Sequence, residues 1–161
     1  MNIEWDKLGF EFRPTKSNIR ATYADGQWGA LRVHDDYNIT MSVAANCMHY
    51  GQAIFEGMKA FRMKDGHIGV FRPDCNAGRF ARSAARILMP PVPEEMFLEA
   101  IRRVVLDNEE YIPPYGTDGS LYIRPVMFGT SSQIGVSPSQ TYEFVMMVVP
   151  AGPYYKGGIK R

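Results

Sequence analysis

A tyrosine and an arginine, two residues apart in a strand-like segment, are the side chains of this sequence best suited to bind a ligand. They are Tyr122 and Arg124 of "SLYIRPVMF", residues 120–128. Side chains alternate along a strand, so these two share one face. A guanidinium can bind a carboxylate through two parallel hydrogen bonds, and a phenol adds a further donor. The pattern by itself favours the alternative, an exposed sheet face with solvated polar tips.

Four arginines within fifteen residues form a second candidate. They lie in "FRPDCNAGRFARSAAR", and Arg79, Arg82 and Arg86 follow the spacing of one helix stripe. Arginine matches the geometry of a phosphate group, so the stripe could hold one. A solvated helix face is the simpler explanation of the same stripe.

The third candidate is the bend "HYGQAIFEGMKAFR" at residues 49–62. Gly51 and Gly57 permit unusual backbone angles and the close approach of a flat ligand. Tyr50 and Phe55 could form the wall of an apolar pocket. The alternative is a core hairpin filled with aromatic side chains.

Other chemistry is not indicated by the sequence. The three histidines lack metal-ligand spacing, and no nucleophile elbow or phosphate-binding glycine loop is present. The net charge is +1 and the cations are scattered, so nothing favours nucleic acid or a membrane surface as a partner. Cys47 and Cys75 are not spaced as a redox pair, and two free thiols suit a reducing compartment. With no secretory signal or membrane-length apolar run, we expect a soluble cytoplasmic protein.

Periodicity predicts the elements that position these residues. Residues 29–43 suggest two short strands around Asp35-Asp36, residues 57–72 a hairpin, and residues 120–128 and 142–150 two further strands. Asp74 is predicted to cap a helix over residues 75–89, and a second helix begins at Glu94. The expected buried faces are Phe80, Ala84, Ile87 and Leu88 in the first helix and Phe97, Ala100, Ile101, Val104 and Val105 in the second.

These elements come in blocks rather than in regular alternation of strand and helix. We therefore predict an α+β fold with a mostly antiparallel or mixed sheet and helices packed on one face.

Taken together, five segments of the chain resemble a known family. "HYGQAIFEGMKAFR", "FRPDCNAGRFARSA", "GSLYIRPVMFGT", "IGV" and "AGPYYKGG" are similar, in order and spacing, to the N-terminal domain of branched-chain amino acid aminotransferases. These are fold-type IV enzymes that use pyridoxal 5′-phosphate. The resemblance covers nearly the whole chain and implies the small N-terminal domain of such an enzyme over residues 1–161.

The resemblance assigns a role to each matching position. Arg79 corresponds to the arginine that contacts the cofactor phosphate. Gly57 corresponds to the glycine that lets the backbone approach the substrate, and Arg124 to the arginine that binds the distal carboxylate of glutamate or 2-oxoglutarate. The other matching substrate-site residues are Tyr50, Phe55, Tyr122, Val136 and Tyr154. Val136 resembles the tip of a loop that, in the family's homodimer, reaches over the neighbouring subunit's pocket.

The resemblance also implies what these 161 residues do not supply. Family members continue into a second domain that carries the Schiff-base lysine, and neither Lys59 nor Lys156 matches it. We therefore expect transfer of an amino group between leucine, isoleucine or valine and 2-oxoglutarate by the whole enzyme, and no activity from this chain alone. The alternative is a free-standing, non-catalytic binding module derived from that domain.

Overall fold

Eight strands form one antiparallel sheet in the computed structural model, which describes residues 3–153. The strands are β1 (Asn18–Ala24), β2 (Gln27–Trp28), β3 (Arg32–His34), β4 (Ala53–Phe55), β5 (Met58–Arg62), β6 (Ile68–Val70), β7 (Ser120–Gly129) and β8 (Tyr142–Ala151). The helices are α1 (Asn46–Tyr50), α2 (Pro73–Arg86) and α3 (Glu94–Asp107), with short 3₁₀ turns at Trp5–Lys7 and Glu109–Tyr111. The predicted α+β class, with helices against a sheet, is confirmed.

The sheet is built around the long hairpin of β7 and β8. The order along the sheet is β2-β1-β8-β7-β5-β6, with β3 paired to β1 and β4 paired to β7. β1 joins the far side of β8, and the pairing runs from Ile19 opposite Met146 to Tyr23 opposite Tyr142. β4 and β5 lie end to end along the other side of β7. The predicted hairpin over residues 57–72 is confirmed by the pairing of β5 with β6.

The core lies between one face of this sheet and helices α2 and α3. Phe80 of α2, Phe97 of α3 and Phe144 of β8 meet there, with ring centres 5.3 to 6.1 Å apart. The predicted inner face of α3 is confirmed, since its five apolar residues are all buried. In β7, Leu121, Ile123 and Met127 are fully buried in this core, so Tyr122 and Arg124 point to the opposite face.

The prediction of two strands around Asp35-Asp36 is wrong in one respect. Only β3 forms, and the chain after His34 leaves the sheet. The reason is the buried Arg20, whose guanidinium donates to the backbone carbonyls of Asp36 and Asn38. The Asp36 carboxylate also accepts a hydrogen bond from the Asn38 N–H at 2.5 Å. Backbone groups that a second strand would use are occupied by these side chains.

The predicted start and end of α2 also need correction. The helix begins at Pro73, a residue that suits the first helical position, and Asp74 makes no capping bond but pairs with Arg72 at 2.8 Å. Its C-terminal apolar residues are not buried: Ile87 is 37% exposed and Leu88 70% exposed. The helix ends at Arg86 and Leu88 has a φ of 58°, so the helical spacing no longer directs these side chains to the core.

No helix within residues 3–153 is long and apolar enough to cross a membrane.

Candidate functional site

Arg124 is held on the open face of the sheet by two aromatic side chains. Its Nε donates a hydrogen bond to the Tyr122 hydroxyl at 3.0 Å. Its guanidinium carbon lies 4.5 Å from the centre of the Phe55 ring and 5.2 Å from that of Tyr122. Both rings therefore attract the cation through their π faces. The structure brings together three of the residues singled out from the sequence.

Gly57 packs directly against this cluster. Phe55 pairs with Val126 and Met58 with Ile123, so residue 57 faces Arg124 across the two strands. A Cβ atom added to Gly57 would overlap the Tyr122 hydroxyl and lie 3.0 Å from its ring carbon Cζ. Glycine is required here because the phenol occupies the space of a side chain.

Pro125 explains why β4 and β5 are separate strands. The Glu56 N–H donates to the Pro125 carbonyl at 3.0 Å. The reciprocal hydrogen bond, from the N–H of residue 125 to the Glu56 carbonyl, cannot form because proline has no N–H. The register on both sides of the gap is the same, so the chain stays extended through Glu56 and Gly57.

Two cavities lie on either side of Tyr122. The smaller, of about 190 Å³, is lined mostly by apolar side chains: Phe10, Phe12, Tyr122, Arg124, Met147, Val148 and Val149. The larger, of about 460 Å³, is lined by Gly57, Met58, Lys59, Phe61, Phe71, Asn76 and Tyr122. Phe10 packs edge-on against the Tyr122 ring, with 4.8 Å between the ring centres. Tyr122 thus separates an apolar cavity from one that contains an amine and an amide.

Arg79 lies on α2 and binds a buried carboxylate. Its Nε and Nη2 donate to the two oxygens of Glu56 at 2.5 and 2.6 Å. Asn76, one turn earlier, donates to the same carboxylate at 2.9 Å. Burial alone would raise the pKa of the Glu56 carboxyl, but the hydrogen bonds from Arg79 and Asn76 and the charge of Arg79 outweigh it and hold that pKa below its ordinary value.

Tyr50 and Val136 lie together, in a separate place. Tyr50 ends α1, and its hydroxyl donates to the Ile134 carbonyl of the loop between β7 and β8. Val136, at the tip of that loop, is 86% exposed. Among the described residues, no hydrogen bond or ring contact joins Tyr50 to the Arg124 cluster. Tyr154 and Lys156 lie outside the described residues.

The sequence interpretation missed Glu56. It is only 7% exposed and lies on the core side of the sheet, between Ile54 of β4 and Met58 of β5 in the alternating pattern of this extended segment. A carboxylate at an inward position was the available signal, because a buried charge requires a partner. Asn76 was also missed, and nothing in its local sequence distinguishes it. No group of acidic, histidine or cysteine side chains in residues 3–153 could hold a metal ion.

Comparison with known proteins gives a consistent result. No model of a protein family matches the chain. The chain is 39% identical over 158 residues to a branched-chain-amino-acid aminotransferase of Haemophilus influenzae, covering 98% of this chain and 46% of that protein. It is also 39% identical over 160 residues to the Helicobacter pylori protein of the same name, covering 99% of this chain and 47% of that protein. The chain thus spans about half the length of these relatives.

Solved structures are similar as well. A branched-chain aminotransferase of Thermoproteus uzoniensis, solved with norvaline, has a TM-score of 0.64 at 26% identity, over 86% of this chain and 43% of that one. The T.th. branched-chain amino acid aminotransferase complexed with N-(5′-phosphopyridoxyl)-L-glutamate has a TM-score of 0.62 at 27% identity, over 84% of this chain and 41% of that one. The resemblance inferred from the sequence is confirmed: this chain is a homologue of the branched-chain amino acid aminotransferases and spans about half of their length.

Proposed function

We propose that residues 1–161 are the N-terminal small domain of a pyridoxal-phosphate-dependent branched-chain amino acid transaminase of fold type IV. The whole enzyme transfers the amino group between leucine, isoleucine or valine and 2-oxoglutarate. The observation that carries this proposal is the Arg124 cluster, a single guanidinium set among aromatic and aliphatic side chains. The homologues and the solved structures support it.

The cluster has the properties that two unlike substrates require. Arg124 uses Nε for Tyr122, while its two terminal nitrogens make no hydrogen bond within residues 3–153. Those nitrogens can bind the distal carboxylate of glutamate through two parallel hydrogen bonds. When an aliphatic side chain occupies the site instead, Arg124 keeps the Tyr122 hydroxyl and the Phe55 ring as partners. The guanidinium is therefore never left without partners, which would be costly in an apolar site.

The residues around the larger cavity fit a flat cofactor that carries a phosphate. Phe61 and Phe71 supply apolar walls, and Gly57 has no side chain to obstruct a ring. Arg79 retains Nη1 without a hydrogen bond in the described part of the chain, and arginine suits phosphate. Bound pyridoxal phosphate would supply the electron sink that amino transfer needs.

We place the lysine that binds the cofactor outside these 161 residues and expect the chain alone to be inactive. We further propose a homodimer in which the loop carrying Val136 reaches the neighbouring subunit's site, and a cytoplasmic location. Tyr50 and Tyr154 are proposed to complete the substrate site. Tyr50 lies beside the loop of Val136, which supports a role for the pair at a subunit boundary.

Two measurements test this proposal. The full-length protein that contains this chain is assayed with leucine and 2-oxoglutarate, and we expect transamination that depends on pyridoxal phosphate. The 161-residue chain is mixed with pyridoxal phosphate, reduced with borohydride and weighed as an intact protein. We expect no stoichiometric adduct. One adduct per chain at Lys59, which lines the larger cavity, would contradict the placement of the lysine. A full-length protein without transaminase activity would favour the binding-module alternative.

A further inference from the structure

We infer that Glu56 is a positioning residue for cofactor binding: it fixes the guanidinium of Arg79 so that one edge stays available to the cofactor phosphate. This inference rests on the proposed function, since it concerns the same phosphate. It goes beyond that proposal by assigning a role to a side chain that never touches the ligand.

The contacts of Glu56 fix the orientation of the Arg79 guanidinium. Both carboxylate oxygens are occupied: Oε1 by the Arg79 Nε at 2.5 Å, and Oε2 by the Arg79 Nη2 at 2.6 Å and the Asn76 amide at 2.9 Å. Two parallel bonds to a planar guanidinium define its orientation, which one bond would not. Glu56 itself lies between β4 and β5, which both pair with β7, and its own N–H donates to the Pro125 carbonyl of β7. The sheet therefore sets the direction in which Arg79 points.

The exposure of the two partners is unequal in a way that suits this role. The Glu56 side chain is 7% exposed, whereas the Arg79 side chain is 59% exposed. The carboxylate is thus the buried half of the pair, and the guanidinium reaches toward solvent. Nη1 is the one nitrogen of Arg79 that makes no hydrogen bond within residues 3–153. A buried carboxylate gives little net stability compared with an apolar residue, so packing alone is a weak reason for its presence.

Arg79 also lies close to the proposed cofactor cavity. Asn76 lines that cavity and shares the Glu56 carboxylate with Arg79, three residues later on the same helix. The Asn76 amide also donates to the Gly57 carbonyl at 3.4 Å, and Gly57 lines the cavity too. Glu56 thus connects the floor of the cavity to the phosphate-binding arginine. An arginine that is already oriented loses less side-chain entropy when it binds an anion.

The test compares two ligands that differ only in the phosphate. Dissociation constants for pyridoxal 5′-phosphate and for pyridoxal are measured by equilibrium dialysis on the full-length apo-protein. Their ratio reports the contribution of the phosphate alone. For Glu56→Gln we expect the preference for the phosphorylated ligand to fall about tenfold, with pyridoxal binding unchanged. Glu56→Asp, which keeps the charge but shortens the arm, should lower the preference in the same direction and provides a second variant if the first folds poorly.

The dependence on Arg79 separates positioning from a general structural role. In an Arg79→Ala background, Glu56→Gln should cause no further loss of phosphate preference, because the two residues act as one unit. The matched control is Glu99→Gln, which removes a half-buried carboxylate that binds Arg102 and Arg103 on α3. That variant should leave the ratio unchanged.

Each other outcome counts against the inference. A preference that survives Glu56→Gln, or that falls equally with and without Arg79, overturns the positioning role and leaves the proposed function intact. A wild-type protein that does not distinguish the two ligands overturns both the role of Glu56 and the proposed cofactor.

Discussion

The Tyr122 hydroxyl occupies the place where a side chain of residue 57 would begin. A Cβ atom built on Gly57 overlaps this hydroxyl, and the same hydroxyl accepts the hydrogen bond from Arg124. Backbone, phenol and guanidinium are thus in direct contact, in that order. Any atom added to residue 57 must displace Tyr122, and Arg124 then loses its hydrogen-bond acceptor.

Gly57→Ala should therefore damage the site more than the fold. Displacing Tyr122 should cost about 1–3 kcal/mol of unfolding free energy, as overpacking does. Transaminase activity of the full-length protein should fall at least about tenfold. Urea unfolding and steady-state kinetics measure the two effects. The control is Gly69→Ala on β6, where a new Cβ would lie 3.4 Å from the Met63 sulfur, an ordinary contact. Equal effects of the two substitutions would contradict the importance of the Gly57–Tyr122 contact.

Arg124→Met should separate the two substrate classes. Methionine keeps an unbranched apolar stem but cannot bind a carboxylate. We expect the KM for glutamate and for 2-oxoglutarate to rise roughly 10- to 100-fold, because a charge-assisted pair is lost. The KM for leucine should change by less than about threefold. The matched control is Arg102→Met, which replaces an exposed arginine of α3. A parallel loss for leucine and glutamate would argue that Arg124 maintains the shape of the site instead of binding the carboxylate.

Stability conferred by Glu56 should depend on pH. Its pKa is below the ordinary glutamate value in the folded protein, so its contribution is present above that ordinary value and is lost as the pH falls through the folded pKa. At pH 7, Glu56→Gln should lower the unfolding free energy by about 1–3 kcal/mol. Chemical denaturation at a series of pH values should show the gap between wild type and variant closing below about pH 4. A difference in unfolding free energy between wild type and variant that does not change with pH would show that the charge of Glu56 does not cause its stabilising effect.

Leu88→Gly should stabilise the protein. Leu88 has a φ of 58°, and the Leu88 and Met89 N–H groups donate to the carbonyls of Ala85 and Ala84 at 3.2 and 2.9 Å. This is the left-handed ending at which glycine is the preferred residue. The side chain is 70% exposed, so little packing is lost. We expect a gain of about 0.5–1 kcal/mol in urea unfolding. Leu88→Ala keeps the Cβ atom and should show no such gain; a gain of the same size would refute strain as the cause.

The parts of the fold that follow from local periodicity could be predicted from the sequence. The alternation in β7 places Tyr122 and Arg124 on one face, and the helical spacing of α3 predicts its buried side. The end of α2 could not be predicted in this way, because the apolar spacing continues through Leu88 although the backbone there is no longer helical. The missing strand after His34 depends on Arg20, which lies sixteen residues before Asp36 in the chain.

The candidate site shows the same limit. Phe55, Gly57, Tyr122 and Arg124 were singled out from residue types and from the family resemblance, and the structure places them in contact. Glu56 was not, because its function depends on the packing of α2 against the sheet. Its partner Arg79 is 23 residues away, and no local pattern reports that pairing. The orientation of the Arg79 guanidinium is set by Glu56, a tertiary contact, and not by the spacing of Arg79, Arg82 and Arg86 along the helix.

The pairing of β1 with β8 has a consequence for synthesis on the ribosome. Ile19 lies opposite Met146, so the first strand of this sheet pairs with the strand that is made last among its eight. The β7–β8 hairpin can form locally, but β1 exposes its apolar residues until about 120 further residues have been added. At about 5–20 residues per second, that delay lasts some 6–25 seconds. β2 and β3 can pair with β1 soon after they are made, but the edge of β1 that pairs with β8 stays open during this time and is a site that chaperones could bind. Co-translational folding of the sheet can finish only when residue 151 has emerged.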